Sequence, residues 1–179
     1  TVFLCVVDPG VGSARPGVVV RADGRWFVGP NEGLFALLAR RATAVECWQS
    51  PDDPQAAPSF HGRDVFAPVA ARLARELPPA GEVIEAASLD CPDWPDDPRR
   101  VVYIDRYGNA MTGVRATAVS ADAPLHVNGH VLQAARTFAD VEQGAAFWYE
   151  NANGLVEIAV NAGRADTQLG LGVGMTFAL

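Results

Sequence analysis

The chain has 179 residues, of which 49% are hydrophobic and 20% charged, and its net charge is −7. That length allows one domain or two small ones, and the composition is that of a folded globular chain, not a disordered one. The acidic balance disfavours general nucleic-acid binding, which needs a basic surface against phosphate, and no apolar run approaches the roughly 20 residues of a membrane-spanning helix.

The first residues, "TVFLCVVDPG", begin inside an apolar run with no initiating Met, as a fragment or a processed piece would. No charged segment precedes an apolar one, so no signal peptide is expected. Residues 2–7, "VFLCVV", are continuously apolar, which suits a central parallel strand buried on both faces. "GVVVRADGRWFVG" reads as two strands joined at Asp23-Gly24, a hairpin signal. In "NEGLFALLARR", Leu34, Leu37 and Leu38 have helical spacing, and Arg40 and Arg41 sit favourably at the C-terminal end of the dipole. "ATAVECW" is a further strand, and the Pro- and Asp-rich "QSPDDPQAAPS" is a loop. "RDVFAPVAARLAREL" is a helix with Val65, Val69, Leu73 and Leu77 four apart; Pro68 fits only in its first turn.

Residues 78–100 carry five prolines and a cluster of acids, the composition of a linker. Beyond it come short β-type runs, with hairpin turns at Asn128-Gly129 and Asn153-Gly154, the pattern of a small sandwich or barrel. The expected organisation is an α/β domain over 1–80, a Pro-rich linker over 81–100 and an all-β, barrel-like domain over 101–179. Cys5, Cys47 and Cys91 are odd in number, widely spaced and free of any CxxC. This argues against a disulfide framework or zinc site and for reduced thiols in the cytoplasm.

Three stretches hold side chains suited to chemistry. "VVDPGVGSAR" places Asp8 after a buried strand and before a Gly-rich turn, where open α/β sheets bind ligands. Without GxGxxG or a following Lys-Ser/Thr it is a poor phosphate loop, and Asp8-Pro9-Gly10 could simply make the turn. "SFHGRD" puts His61 at a helix entrance, where a histidine either packs or acts as acid or base. "YIDRYGNAMT" gathers Asp105, Tyr107 and Asn109 in one loop. An acid, an aromatic face and an amide are what a site needs to hold an ammonium, stack a flat ring and read a base edge; they are also the residues of an Asx turn. His126 and His130 flank a hairpin and receive no role, and neither ligand-like histidine spacing nor HExxH argues for a metal.

"VVDPGVGSAR", "VGPNEGLF", "SFHGRDVFAPVAARLA", "IDRYGNAMT", "TFAD" and "GLVEIAVNAG" together resemble the S-adenosyl-L-methionine (SAM) hydroxide adenosyltransferases, relatives of the SAM-dependent fluorinase and chlorinase, over essentially the whole chain. The resemblance implies a Rossmann-like, mostly parallel α/β domain truncated at its start, then a barrel-like β domain. It implies a homotrimer whose active sites lie between the N-terminal domain of one subunit and the C-terminal domain of the next. The implied reaction is hydrolysis of SAM to adenosine and L-methionine, with SAM as substrate, no cofactor, no metal, no nucleic acid and no membrane.

By the same resemblance Asp8, Arg15 and His61 are the catalytic set. Phe60 and Gly62 line the pocket, and Asp105 takes the methionine ammonium. Tyr107, Asn109 and Phe138 surround adenine, and Ala152 and Asn153 hold the methionine carboxylate. Three positions depart from the family pattern: Ala152 replaces a common serine, Gly113 a common amide and Glu32 a usual second asparagine. Family members also carry a segment ahead of Thr1 with an aspartate that grips the ribose hydroxyls. Two alternatives remain open on sequence: a SAM-dependent halogenase-type substitution, and a non-catalytic SAM- or adenosine-binding module.

Overall fold

Val18, Val19 and Val20 are all fully buried although successive strand residues point to opposite faces, so their sheet must be covered on both sides. The computed structural model describes all residues, 1–179. They form two compact units, Thr1–Asp93 and Trp94–Leu179.

In the first unit, β1 (Val2–Leu4), β2 (Gly17–Ala22), β3 (Arg25–Pro30), β4 (Val45–Gln49) and β5 (Glu82–Ile84) form one sheet in the order β1-β3-β2-β4-β5. Helix α1 (Ala36–Arg41) and Leu89 help cover the face of Val18, Val20 and Cys47. Helix α2 (Ala67–Ala74), entered through a π-helical turn over Gly62–Phe66, covers Val19 and Val28 with Phe66, Val69 and Leu73. Pro68 lies in the first turn of α2, as its missing N–H requires. Burial pushes the Cys5 and Cys47 thiols above their ordinary range, which keeps both protonated and unreactive.

Three expectations need correction. The sheet is not mostly parallel: only β1–β3 is, while β2–β3, β2–β4 and β4–β5 are antiparallel. The Asp23-Gly24 turn, with φ of 45° and 78°, folds β3 directly back on β2 and dictates the first of these. The run at 2–7 is not a central buried strand. It pairs through Val2–Leu4 at the sheet edge, and Phe3, Leu4, Val6 and Val7 are exposed. Continuous apolarity does not say which elements cover a run or pair with it. Finally, the Pro-rich stretch contains β5 and a 3₁₀ turn over Ala86–Leu89, and buried Leu89 ties it to the first unit.

The second unit is all-β apart from a short helix, α3 (Ala165–Gln168). Strands β6 (Val101–Ile104), β7 (Ala110–Arg115), β8 (Leu125–Val127), β9 (His130–Ala134), β10 (Ala146–Glu150) and β11 (Leu155–Val160) run in the order β6-β7-β11-β10-β9-β8. The C-terminal segment reaches both edges of this curled sheet. Thr176 bridges Arg100, just ahead of β6, and Ala178 bridges His126 on β8. The expected hairpin turn appears at Asn128-Gly129, with φ of 46° and 78°. Val101, Leu125, Trp148, Ile158 and Phe177 meet in one core.

Phe177 is thus both core and clasp. Phe177→Ala is expected to cost roughly 3 kcal/mol, read as a lowered urea midpoint at unchanged m-value; an unchanged midpoint would show that the clasp carries no stability.

Candidate active site

The loop Cys5–Pro16 leaves β1 and enters β2. Ser13 folds it back, donating its N–H and Oγ–H to the Gly10 carbonyl at 3.1 and 2.7 Å. This brings Arg15 onto Asp8: an Arg15 guanidinium nitrogen donates to Asp8 Oδ1 at 2.5 Å, with side chains 5% and 7% exposed. A second guanidinium nitrogen donates to the Pro16 carbonyl at 3.0 Å. Glu32 Oε1 lies 3.7 Å from Arg15 Nε, and the guanidinium carbon is 5.8 Å from the Phe66 ring centre. Asp8 Oδ2 and Arg15 Nε are buried without a hydrogen-bonding partner in the protein. Buried polar valences are normally filled, so this pair has capacity for water or a ligand.

His61 is held at the π-helical entrance to α2, its ring edge-on to Phe66 with centres 6.5 Å apart. Arg15 and His61 line one cavity of about 370 Å³, together with Ser50, Asp52, Asp53 and Phe66. The loop ahead of His61 is pinned by Asp64, whose Oδ2 accepts the Ala57 N–H at 2.9 Å. Arg63 donates twice to the same carboxylate and, with the Ala57 bond, holds its pKa down at about 2. Gly62 is needed for space: a Cβ there would stand 2.9 Å from Val6 Cγ1. Phe60 is 54% exposed, with Arg63 stacked 4.6 Å from its ring centre.

In the second unit the loop between β6 and β7 is organised by Asp105. Its Oδ1 accepts the N–H of Tyr107 and of Asn109 at 2.8 Å each, and its Oδ2 accepts Asn109 Nδ2 at 3.1 Å. The Asx-turn alternative is therefore realised, and a carboxylate with about four acceptor positions retains one more. Tyr107 is 74% exposed, whereas Asn109 is buried. Tyr107, Asn109 and Phe138 line one cavity of about 540 Å³ with Val160, Ala162 and Arg164. Phe138 packs edge-on against Phe147 and Tyr149 at 5.1 and 5.5 Å. Ala152 lies elsewhere, in a cavity of about 590 Å³ with Trp148, Tyr149 and Asn151. Asn153 shares its turn and donates weakly to Met111 Sδ at 4.0 Å.

Several residues that line these cavities or brace these loops escaped the sequence. Ser50 is 2% exposed, its Oγ unpartnered on the wall of the Arg15–His61 cavity, yet it reads only as a loop residue. Arg164 donates to the Arg106 carbonyl at 2.9 Å and pairs with Asp166 at 2.7 Å, while Asp166 N–H donates to the Gly108 carbonyl at 3.0 Å. Gly108, with φ of 87°, lies so close that a Cβ would come within 2.6 Å of Asp166 Oδ1. This brace joins residues more than fifty apart, and no local pattern announces it. No group of three or more His, Cys, Asp or Glu side chains is arranged to hold a metal ion.

The family described as SAM hydroxide adenosyltransferase N-terminal domain matches residues 1–82, and its C-terminal counterpart matches residues 99–178. The chain belongs to the SAM hydroxide adenosyltransferase family. An "(R)-S-adenosyl-L-methionine hydrolase" of Thermus thermophilus is 41% identical over 198 aligned positions, covering 99% of this chain and 75% of that protein. One of the same name from Salinispora arenicola is 35% identical, covering 92% and 69%. Among solved structures, an uncharacterized conserved protein from Thermotoga maritima superposes with a TM-score of 0.85 at 28% identity, covering 99% of this chain and 76% of that one. A conserved hypothetical protein from Thermus thermophilus gives 0.76 at 37%, covering 97% and 71%.

Two of this adenosyltransferase-family member's departures have a physical setting. At Gly113 a Cβ would lie 2.3 Å from Pro98 Cγ, so Pro98 occupies the space an amide side chain would need. Glu32 places a second carboxylate near Arg15.

The buried pair makes a stability prediction. Asp8→Ala or Arg15→Met alone strands one charge and is expected to cost roughly 3–5 kcal/mol, whereas the double variant is expected to cost far less. Chemical unfolding of the four proteins measures this; additive losses would mean that the two side chains do not act as a pair.

Proposed function

We propose that this protein hydrolyses SAM to adenosine and L-methionine. The observation that carries the proposal is the buried Asp8–Arg15 pair, whose Arg15 shares a cavity wall with His61, in a family whose similar members are named as SAM hydrolases. Water attacks the ribose C5′. The C5′–O bond forms as the C5′–S bond breaks, the sulfur keeps the electron pair, and one proton is released. The leaving group is a neutral thioether departing from a sulfonium, so no general acid is required.

The burden therefore falls on the water. It must be held in line with the C5′–S bond, a positioning task, and lose its proton to a base. His61 and the free oxygen of Asp8 are the acceptors at hand. Arg15 holds Asp8 and stabilises developing hydroxide. A buried carboxylate here works against a halide, so hydrolysis is favoured over halogenase-type substitution.

Asp105 takes the methionine ammonium, and the Tyr107, Asn109 and Phe138 cavity takes adenine. Phe60 and Gly62 border the reacting end, and Ala152 and Asn153 face the methionine carboxylate. We place the protein in the cytoplasm, in keeping with three free cysteines. No helix is long and apolar enough to cross a membrane. We further propose that it works as a homotrimer with each active site shared between copies, as the family resemblance implies.

Incubation with SAM, with and without chloride, is expected to give adenosine and methionine in both cases; a chlorinated nucleoside would overturn the hydrolase assignment, and bound but unreacted SAM would identify a binding module. Asp8→Asn and His61→Ala are each expected to lower kcat by about 100-fold with SAM affinity nearly unchanged, whereas Asp105→Ala weakens SAM binding.

Mixing the impaired Asp8→Asn and Asp105→Ala subunits after mild dissociation, at SAM levels where each alone turns over slowly, tests the shared site. Recovered turnover is expected, because some mixed assemblies unite an intact first unit with an intact second unit from different copies. No recovery in demonstrably mixed assemblies would place each site within one chain.

A further inference from the structure

Glu157 sits mid-strand in β11 and is only 5% exposed, yet the chemistry above does not use it. A buried carboxylate is costly unless its oxygens are filled. Both are. Oε1 accepts the Tyr149 hydroxyl at 2.6 Å, and Oε2 accepts Asn151 Nδ2 at 2.7 Å. Tyr149 is the cross-strand partner of Glu157, so sheet register alone brings the first contact about. The second reaches into the turn between β10 and β11.

An amide side chain can point either way round, and the two ends have opposite hydrogen-bonding sense. A carboxylate oxygen that accepts from Asn151 selects one orientation of its amide: Nδ2 toward Glu157, Oδ1 away. Oδ1 then accepts the backbone N–H of Asn153 at 2.9 Å and of Leu155 at 3.1 Å. Reversed, the amide would turn an NH₂ against those two N–H groups. Glu157 and the two N–H groups thus favour the same amide orientation, and the carboxylate ties the turn of residues 151–155, which presents Ala152 and Asn153, to the middle of β11. The Tyr149 contact extends the influence further. Its ring packs on Phe138, which lines the cavity shared with Tyr107 and Asn109. Burial first, and then the bond to Glu157, raise the Tyr149 hydroxyl well above its ordinary range, so it stays a donor throughout the working pH range.

We infer that Glu157 is a positioning residue: by fixing the orientation of the Asn151 amide it sets the Ala152–Asn153 turn for the amino-acid end of SAM. This rests on the function proposed above, in which that turn faces the methionine carboxylate.

The test compares Glu157→Met, Glu157→Gln, Asn151→Ala and the Glu157→Met/Asn151→Ala double variant. Wild-type turnover of SAM is measured first. Glu157→Met is expected to raise KM for SAM about tenfold with kcat within about threefold, the mark of a lost binding contribution. Glu157→Gln is expected to stay within about threefold of wild type in KM, because its Oε1 can still accept from Asn151 while Nε2 donates to the Tyr149 oxygen. If Glu157 acts through Asn151, the double variant has a KM within about twofold of Asn151→Ala alone.

An unchanged KM in Glu157→Met, a lower melting point and kcat at constant KM, additive effects in the double variant, or a Gln variant as impaired as Met would each overturn the inference. Amide hydrogen exchange supplies a readout independent of turnover. Asn153 and Leu155 N–H are expected to exchange faster in Glu157→Met and as in wild type in Glu157→Gln; unchanged exchange in Glu157→Met overturns the positioning role. A wild-type protein inert toward SAM would instead sink the proposed function, while the exchange data would still decide what Glu157 holds.

Discussion

The ion pair between Asp8 and Arg15 is the constraint on which the first unit's candidate site depends. Two charges taken out of water regain their solvation only through close, well-directed contacts, and a partial arrangement is worse than none. The chain between them must therefore close tightly, and it does so through the Gly10–Ser13 turn. The same requirement places Arg15 beside Phe66 at the entrance to α2. That contact puts the guanidinium on the cavity wall it shares with His61. The π-helical turn over Gly62–Phe66 is part of the same arrangement, since such turns shift side chains relative to a regular helix and recur at functional sites.

The second unit uses its acids differently. Asp105, Asp140, Asp166 and Glu157 all direct acceptor capacity to nearby N–H or O–H donors, and each steadies a loop that borders a candidate substrate cavity. Asp97 does the same for Arg115. These acids are thus engaged in local structure, two of them beside arginines that cancel their charge. Net charge weighs against a class of partner, but carries no information about a small ligand.

What was legible in the chain was whatever is local. The Asp23-Gly24 and Asn128-Gly129 turns, the amphipathic helix at 67–74 and the Asp105–Asn109 loop all announce themselves within a few residues. What was not legible depends on pairing at a distance. The exposure of Phe3, Leu4, Val6 and Val7 could not be read from "VFLCVV", because an apolar run does not say which elements cover it. Leu89 gave no sign that a Pro-rich stretch would be fastened to the first sheet. At the site, Asp8, Arg15 and His61 became a set through resemblance, since each alone had an ordinary structural explanation. Ser50, Glu157 and the Arg164–Asp166 brace had no signal, because their partners stand on other elements.

This division of labour suits the reaction. Displacing a neutral thioether needs little acid–base work, so rate depends chiefly on holding water, C5′ and sulfur in line. A small error in the recognition loops misaligns that trajectory as surely as losing a base. It is then reasonable that carboxylates serve loop geometry in the second unit, while the proposed chemistry in the first asks for only one carboxylate, one guanidinium and one imidazole. Binding energy gathered at the adenine and amino-acid ends contributes to catalysis only insofar as the loops are stiff enough to transmit it to C5′. Stiffness of that kind comes from hydrogen bonds to backbone, which Asp105 accepts directly and which the Asn151 amide, itself held by Glu157, accepts in its own turn.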